Sequence, residues 1–367
     1  MAKKTELIIS FVHGYQNENL DIQRRQVPAL IRMNADDKEI IEIINLEFPR
    51  TPKDFLEFSN KILGENPLPG QVLEFKKLPR FGIMGLTFDE NHIYAASWNG
   101  IYKLNKKDYR VEGLISHRLI SDSHGIDVKD NKIYSILPSL DLVVISDKVS
   151  GEILDFFSID RELNVIRDDE VLAYDWRFIS KQERGAVGNW HFNHIRVSND
   201  KIYLTSRLAS SVIEIDQYRT KATIRTVCWD TPVMLHDGRL LGDDELVFTS
   251  VDGKILIAND AKKKKSEMHG IEDTAFHLLM KRDMVNTSIR IGDILGKEIN
   301  WCRGIEEYNG KYITTTDGRY DQEYPYFNIA FVQKDGSHVD LVQVPYTLLE
   351  FPEQIRYMTG FSVLALN

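Results

Sequence analysis

Five residues open the functional reading of this chain: His124, His194, His236, Asp237 and Arg303. Neutral imidazole nitrogens suit zinc, iron, manganese or copper, and three of them beside an open position form a catalytic type of coordination. Imidazole also serves as general acid or base near neutral pH. A guanidinium can hold a carboxylate or phosphate through two parallel hydrogen bonds. The expectation is a divalent metal ion, zinc or another first-row transition metal, on His124, His194 and His236. Arg303 would orient a small anionic substrate beside it. The blander alternative is that each histidine only hydrogen-bonds neighbouring backbone.

These residues belong together because each stands at the head of one recurring phrase. Two head residues lead through a hydrophobic residue and a polar turn to a strand of β-branched or aromatic residues. The copies are Met84-Gly85-Leu86 before Ile93-Tyr94, His124-Gly125-Ile126 before Ile133-Tyr134, Asn193-His194-Ile195 before Ile202-Tyr203, and Arg303-Gly304-Ile305 before Tyr312-Ile313. A fifth, one residue longer, runs from His236-Asp237 to Leu246-Val247. The sixth is split between Thr359-Gly360-Phe361 and Leu7-Ile8-Ile9. A strand-forming unit that recurs every 40 to 70 residues predicts an all-β, six-bladed β-propeller of four-stranded antiparallel blades. The innermost strands of such a ring begin near one axis, so the heads converge there.

Blades 2 to 4 read as strands near 85–88, 92–97, 100–104 and 111–115, then 125–128, 132–137, 142–146 and 152–157, then 194–197, 201–206, 211–215 and 222–226. Blade 5 reads as 238–241, 245–250, 254–258 and 288–291, and blade 6 as 304–307, 311–316, 327–332 and 338–344. Blade 1 closes the ring, with 360–366 innermost beside 6–12, 29–34 and 39–46. Sharing a blade between the termini removes free sheet edges. The whole of 1–367 is read as one propeller domain. In strict alignment Asn193, not His194, matches His124. Successive strand residues point oppositely, so His194 faces the axis only if its strand start is twisted.

The long connections at 13–28, 47–83, 158–192, 317–326 and 345–358 all fall on the face where the inner strands begin. Only 261–287, with a helix-like stretch at 273–283, falls on the other. Long loops in a compact domain commonly bind or cover ligands, so one working face is expected. On it stand Trp98-Asn99, Arg207, Asp252 and Asp317 with Arg319, all at turns. Trp190, His191 and Phe192 precede the blade 4 head, and Trp301-Cys302 precede Arg303. Trp98, Asn193, Arg207 and Trp190 join Arg303 as candidate substrate contacts; the plain alternative for each tryptophan is packing between blades. Cys302 is a candidate nucleophile or soft ligand. The aromatic run 320–327 reads as a loop over the funnel.

The 367 residues carry a net charge of -9, which disfavours a nucleic-acid backbone partner. The run Lys262–Lys265 reads as a solvated loop. Two cysteines, Cys228 and Cys302, imply no disulfide framework. The apolar run from Leu7 to Val12 is too short for a signal or membrane segment and fits a strand, so the reading is cytoplasmic. Walker, Rossmann, zincin, EF-hand and nucleophile-elbow signatures are absent.

Through its Met84, His124, Asn193 and Arg303 phrases the chain resembles the six-bladed β-propeller superfamily. The peptide-amidating lyase and oligogalacturonate lyase of that fold carry axial histidine-bound metals, and the clustered histidines here are similar in kind, not in motif. Gluconolactonase-like propellers hold calcium with carboxylates and amides at strand starts, where this chain has mostly histidine and arginine. The leading expectation is a metal-dependent lyase, hydrolase or isomerase acting on a small anion in the axial funnel. Its rival is a non-catalytic scaffold whose looped face grips a protein or saccharide.

Overall fold

In the computed structural model the six phrases become six sheets. The structure describes residues 5–15, 29–46, 81–98, 100–177, 190–198, 200–216, 222–227, 234–241, 245–259, 285–317, 326–349 and 355–366. Each sheet has four antiparallel strands in chain order, apart from the shared one. Blade 2, for example, is Gly85–Phe88, His92–Ala96, Ile101–Asn105 and Val111–Ile115. Blade 1 runs Ile355–Leu366, Glu6–Tyr15, Ala29–Asn34, Ile40–Asn45. Its inner strand pairs from Glu6–Leu366 to Tyr15–Ile355, longer than the sequence pattern implies. The six inner strands neighbour one another in a closed cycle, which is the propeller ring.

The two-residue period of a strand explains how the blades stack. In Glu6–Tyr15, Leu7, Ile9 and Phe11 pack against Ile313, Phe327 and Phe331 of blade 6. Ile8 points the other way, against Ile93, Tyr102 and Leu104 of blade 2. Every blade interface is built like this, so the core is divided into slabs between sheets. The head glycines let neighbouring inner strands close up at the axis. A Cβ on Gly85 would stand 2.5 Å from the His124 carbonyl oxygen, and one on Gly125 2.9 Å from His194 Cα.

Several features lie beyond the sequence pattern. Val165–Ile166 adds a fifth strand to blade 3, and Phe81–Gly82 pairs beside Val12 and His13 of blade 1. A short helix, Ile291–Leu295, follows blade 5. Of the long connections, 16–28, 47–80, 178–189, 318–325, 350–354 and 260–284 lie outside the described residues, with Asn99, Cys228, Arg319 and the lysine run. The described part of 158–192 folds back over the connection leading to His124. Trp176 donates to the Arg118 carbonyl, and the buried Arg177 guanidinium pairs with Asp175 at 2.6 Å and reaches Ser116 at 3.3 Å. No helix among the described residues is long and apolar enough to cross a membrane.

The close approach at the heads yields a stability test. Gly125→Ala should cost about 1–3 kcal/mol, because its methyl meets backbone rather than a flexible side chain. Urea unfolding of the variant checks this; an unchanged midpoint would show that the strands can part freely.

Candidate functional site

Irregularities in the ladders aim the heads at the axis. Between strands one and two of blade 4, the register passes from Phe192–Ser206 to His194–Thr205 and skips Asn193. In blade 5 it passes from Leu235 to Gly238, skipping His236 and Asp237. In blade 6 it passes from Arg303 to Glu306, and in blade 1 from Gly360 to Ser362. Each slip is a bulge that re-aims a side chain out of the regular alternation.

The result is an axial cluster. The His124 and His236 rings lie 6.4 Å apart and nearly parallel, and His191 meets His124 edge-on at 6.1 Å. Phe361 touches both, with ring centroids 5.8 Å from His124 and 5.4 Å from His236. The Arg303 guanidinium lies 4.4 Å from the Trp301 ring and 4.7 Å from the Phe361 ring, and it donates to the Thr359 hydroxyl. Arg207 sits farther out, 5.9 Å from the Trp301 ring, with Nε 3.1 Å from Met234 Sδ. Trp98 is buried with Val12, Met84 and Phe361.

Hydrogen bonds settle the orientation of His124. Asn193 donates from Nδ2 to the Leu235 carbonyl, so its Oδ1 faces His124 Nδ1 at 3.1 Å. That oxygen can only accept, which places a proton on Nδ1; Nε2 lies 3.5 Å from Asp122 Oδ1. His236 Nδ1 is buried and has no hydrogen-bond partner among the described residues. Burial, then the charges of Arg303, His124 and Arg207, push His236 far below the ordinary imidazole range, so it is neutral. Burial raises Asp237, opposed by His194, by the Gly304 N–H that it accepts and by Arg303.

The rim has its own signature. Asp122, His191 and Trp301 each stand two residues before a head, and each has a left-handed backbone, at φ 57°, 47° and 59°. Such conformations are rare for bulky residues and cost about 1–3 kcal/mol each. The Asp122 and Trp301 amides bond to the Trp98 and Val251 carbonyls of the preceding blades, which holds them there.

The structure thus brings together His124, His236, Arg303, Asn193, Trp98 and, at the rim, Arg207. It does not bring His194 or Trp190 with them. His194 pairs with Thr205 and lines a cavity of about 10 Å³ between blades 4 and 5, roughly room for one water. Its neighbours there include Arg196 and Arg239, and burial lowers its pKa to about 4. Trp190 is core between blades 3 and 4, stacked on Phe192, with its ring N–H on the Ile159 carbonyl. Cys302 is fully buried and burial raises its thiol, which is the wrong direction for a nucleophile. Asp252 pairs with Lys254, and Asp317 accepts from Asn328. The imidazole that does join the cluster is His191, read from sequence only as part of the approach to blade 4. Asp122 and Phe361 were not singled out either. The first is visible as the repeat position shared with His191 and Trp301; the second depends on a bulge that no residue type announces.

Among the described residues, no three His, Cys, Asp or Glu side chains gather as a group that could hold a metal ion. His194 faces the seam between blades 4 and 5, apart from His124 and His236. Two guanidiniums beside His236 also disfavour a cation and favour an anion.

Comparison with known proteins extends the fold and no further. No protein-family model and no curated protein matches the chain. Among solved structures, a chain of a nidogen/laminin complex is similar over 98% of this chain and 98% of its own, with TM-score 0.51 and 10% identity. A protein of unknown function from Bacteroides caccae covers 100% of both chains at 10% identity and TM-score 0.46. Hydrazine synthase of Kuenenia stuttgartiensis matches 72% of this chain at 11% identity and TM-score 0.43; the match spans 66% of that chain, just under two thirds. Likeness at this level of identity establishes the propeller alone.

The buried histidines predict a pH dependence. Burial lowers His13 and His194 to about 4 from the ordinary 6.5, and His236 lies well below that ordinary value. The unfolded chain binds protons at these sites below 6.5 while the folded chain does not. Unfolding therefore takes up protons, and stability should fall as the pH drops from about 6.5 to 5, above the range where most carboxylates titrate. Calorimetry across that window checks the slope, and His236→Asn should flatten it. A Tm independent of pH would show that the imidazoles are solvated.

Proposed function

We propose that the axial chamber binds a small organic anion and acts on it by general acid–base chemistry, with Arg303 holding the acid group and His236 moving the proton. The observation that carries this reading is the buried Arg303 guanidinium, 4.4 Å from the Trp301 ring and 4.7 Å from the Phe361 ring, in one cluster with the buried His236 imidazole. Contact with two aromatic rings restrains the guanidinium, a group whose N–H edges suit a carboxylate or phosphate. Arg207 adds a second positive charge toward the rim.

The same charges explain how a histidine held so low would act as a base. Burial first, then Arg303, His124 and Arg207, oppose a proton on His236. A bound anion would offset the guanidiniums and raise the imidazole's basicity by their share of the shift, the share due to burial remaining. The base is then strengthened only when substrate is present. His124, its Nδ1 fixed by Asn193, is the second imidazole of the cluster. This chemistry suits a lyase, an isomerase or a hydrolase. The zinc-type ligation by His124, His194 and His236 forms no part of the proposal, since His194 lies outside the chamber.

Titration calorimetry with inorganic phosphate, acetate and malonate tests it. At least one should bind, and Arg303→Ala should weaken that binding by more than about tenfold, the loss expected for a charge-assisted bidentate contact. Elemental analysis of protein purified without a metal-affinity tag belongs beside it. Binding of no anion would hand the lead to the scaffold reading, and one equivalent of a first-row metal lost in His124→Ala would replace the anion by a metal centre.

A further inference from the structure

The residue at the centre of the ring is Phe361, and nothing in the phrase it belongs to prepares for its position. Its counterparts Leu86, Ile126, Ile195 and Ile305 all turn sideways into the slabs between blades. Phe361 does not. Phe11 pairs with Gly360 and Ser10 with Ser362, so the ladder passes over Phe361 and its side chain swings inward. There it is 1% exposed, and it meets side chains of five blades: Val12, Met84 and Trp98, His124, His236 and Arg303. A six-bladed ring leaves a channel along its axis, and this one aromatic side chain fills it.

We propose that Phe361 is the floor of the anion site and its positioning residue: it makes the axial channel a blind chamber and holds Arg303 and His236 for the ligand. The inference rests on the anion reading above and deepens it. The ring touches no reacting atom in this scheme; it acts through the groups it carries. Its ring supports the guanidinium by cation–π attraction at 4.7 Å. The two imidazoles approach it in T-shaped geometry, at interplanar angles of 74° and 68°. Such contacts are directional and belong to aromatic rings, so an aliphatic side chain of similar size cannot replace them. The residue thereby separates two roles that usually coincide, filling volume and fixing orientation.

That separation is the basis of the experiment. Phe361→Leu keeps an apolar side chain of the kind present at this point in blade 2 and removes the π face. Phe361→Tyr keeps the face. The probes are inorganic phosphate and malonate, read by titration calorimetry together with the thermal midpoint of each variant. Phe361→Leu should weaken anion binding about tenfold while the protein stays folded, and Phe361→Tyr should stay within about twofold of the wild type. Equal affinity in wild type and Phe361→Leu, with binding still lost in Arg303→Ala, overturns this inference and leaves the anion site standing. Equal losses in the Leu and Tyr variants overturn it too, since a role in packing alone would give that result. No binding of either probe by the wild type overturns both the site and its floor. If Phe361→Leu does not fold, Phe361→Met, which repacks more freely, makes the same comparison.

Discussion

Carboxylates that reach from one blade to the backbone of the next hold this ring in shape. Asp127 of blade 3 accepts the Val197 N–H of blade 4 at 2.7 Å. Asp237 of blade 5 accepts the Gly304 N–H of blade 6, and Glu306 of blade 6 accepts the Ala365 N–H of blade 1 at 3.2 Å. All three are buried inner-strand residues. A buried carboxylate without such partners would cost several kcal/mol, roughly 3–5 when one member of a pair is removed, so each staple is strongly directional. Thr87 and Arg196 complete the coordination of Asp127, and Arg239 completes that of Glu306 at 2.5 Å. Apolar slabs can slide past one another; backbone-to-carboxylate bonds cannot. They set how far one inner strand stands from the next, and through that where every head residue points.

Once the inner strands are locked, the site is assembled from exceptions to strand geometry. Regular alternation sends side chains sideways into the blade interfaces, and nothing regular faces the axis. Asn193, His236 and Phe361 reach it because the ladder skips them. Asp122, His191 and Trp301 lean over it because their backbones are left-handed. The stability spent on these departures comes from the slabs and staples around them. Left-handed residues also occur in turns elsewhere, as at Lys38, Tyr109 and Asn309, but at Asp122, His191 and Trp301 they stand at the same repeat position beside the heads.

The repeat explains which parts could be read from residues alone. Strand periodicity, head glycines and the split sixth phrase are local signals, and they led to six blades, to the shared blade and to most strand bounds within a few residues. Convergence of His124, His236 and Arg303 followed from the ring. The alignment also held the answer for blade 4: Asn193 matches His124, and Asn193 is the axial residue, while His194 faces blade 5. What could not be read were register slips, which depend on the relative set of two strands and leave no mark in one of them. Phe361 therefore read as an ordinary interface residue, and Trp190, beside three aromatic or imidazole neighbours, read as a pocket wall when it is core. The expected working face rested on loops that lie largely outside the described residues; the connection ending at Arg177, packed over 116–118, is the part of it that can be followed.

Charge bears on the choice between the two chemistries that the head residues allow. A histidine cluster alone is ambiguous, because neutral imidazole binds a metal and moves a proton equally well. The neighbours of His236 bear on the choice: Arg303 and Arg207 oppose added positive charge, and Asp237 Oδ2, 3.4 Å away, also accepts the Gly304 N–H. On the anion-binding reading, a ligand of negative charge would raise the basicity of His236 by the part of its depression that the guanidiniums cause, while the larger part, due to burial, stays.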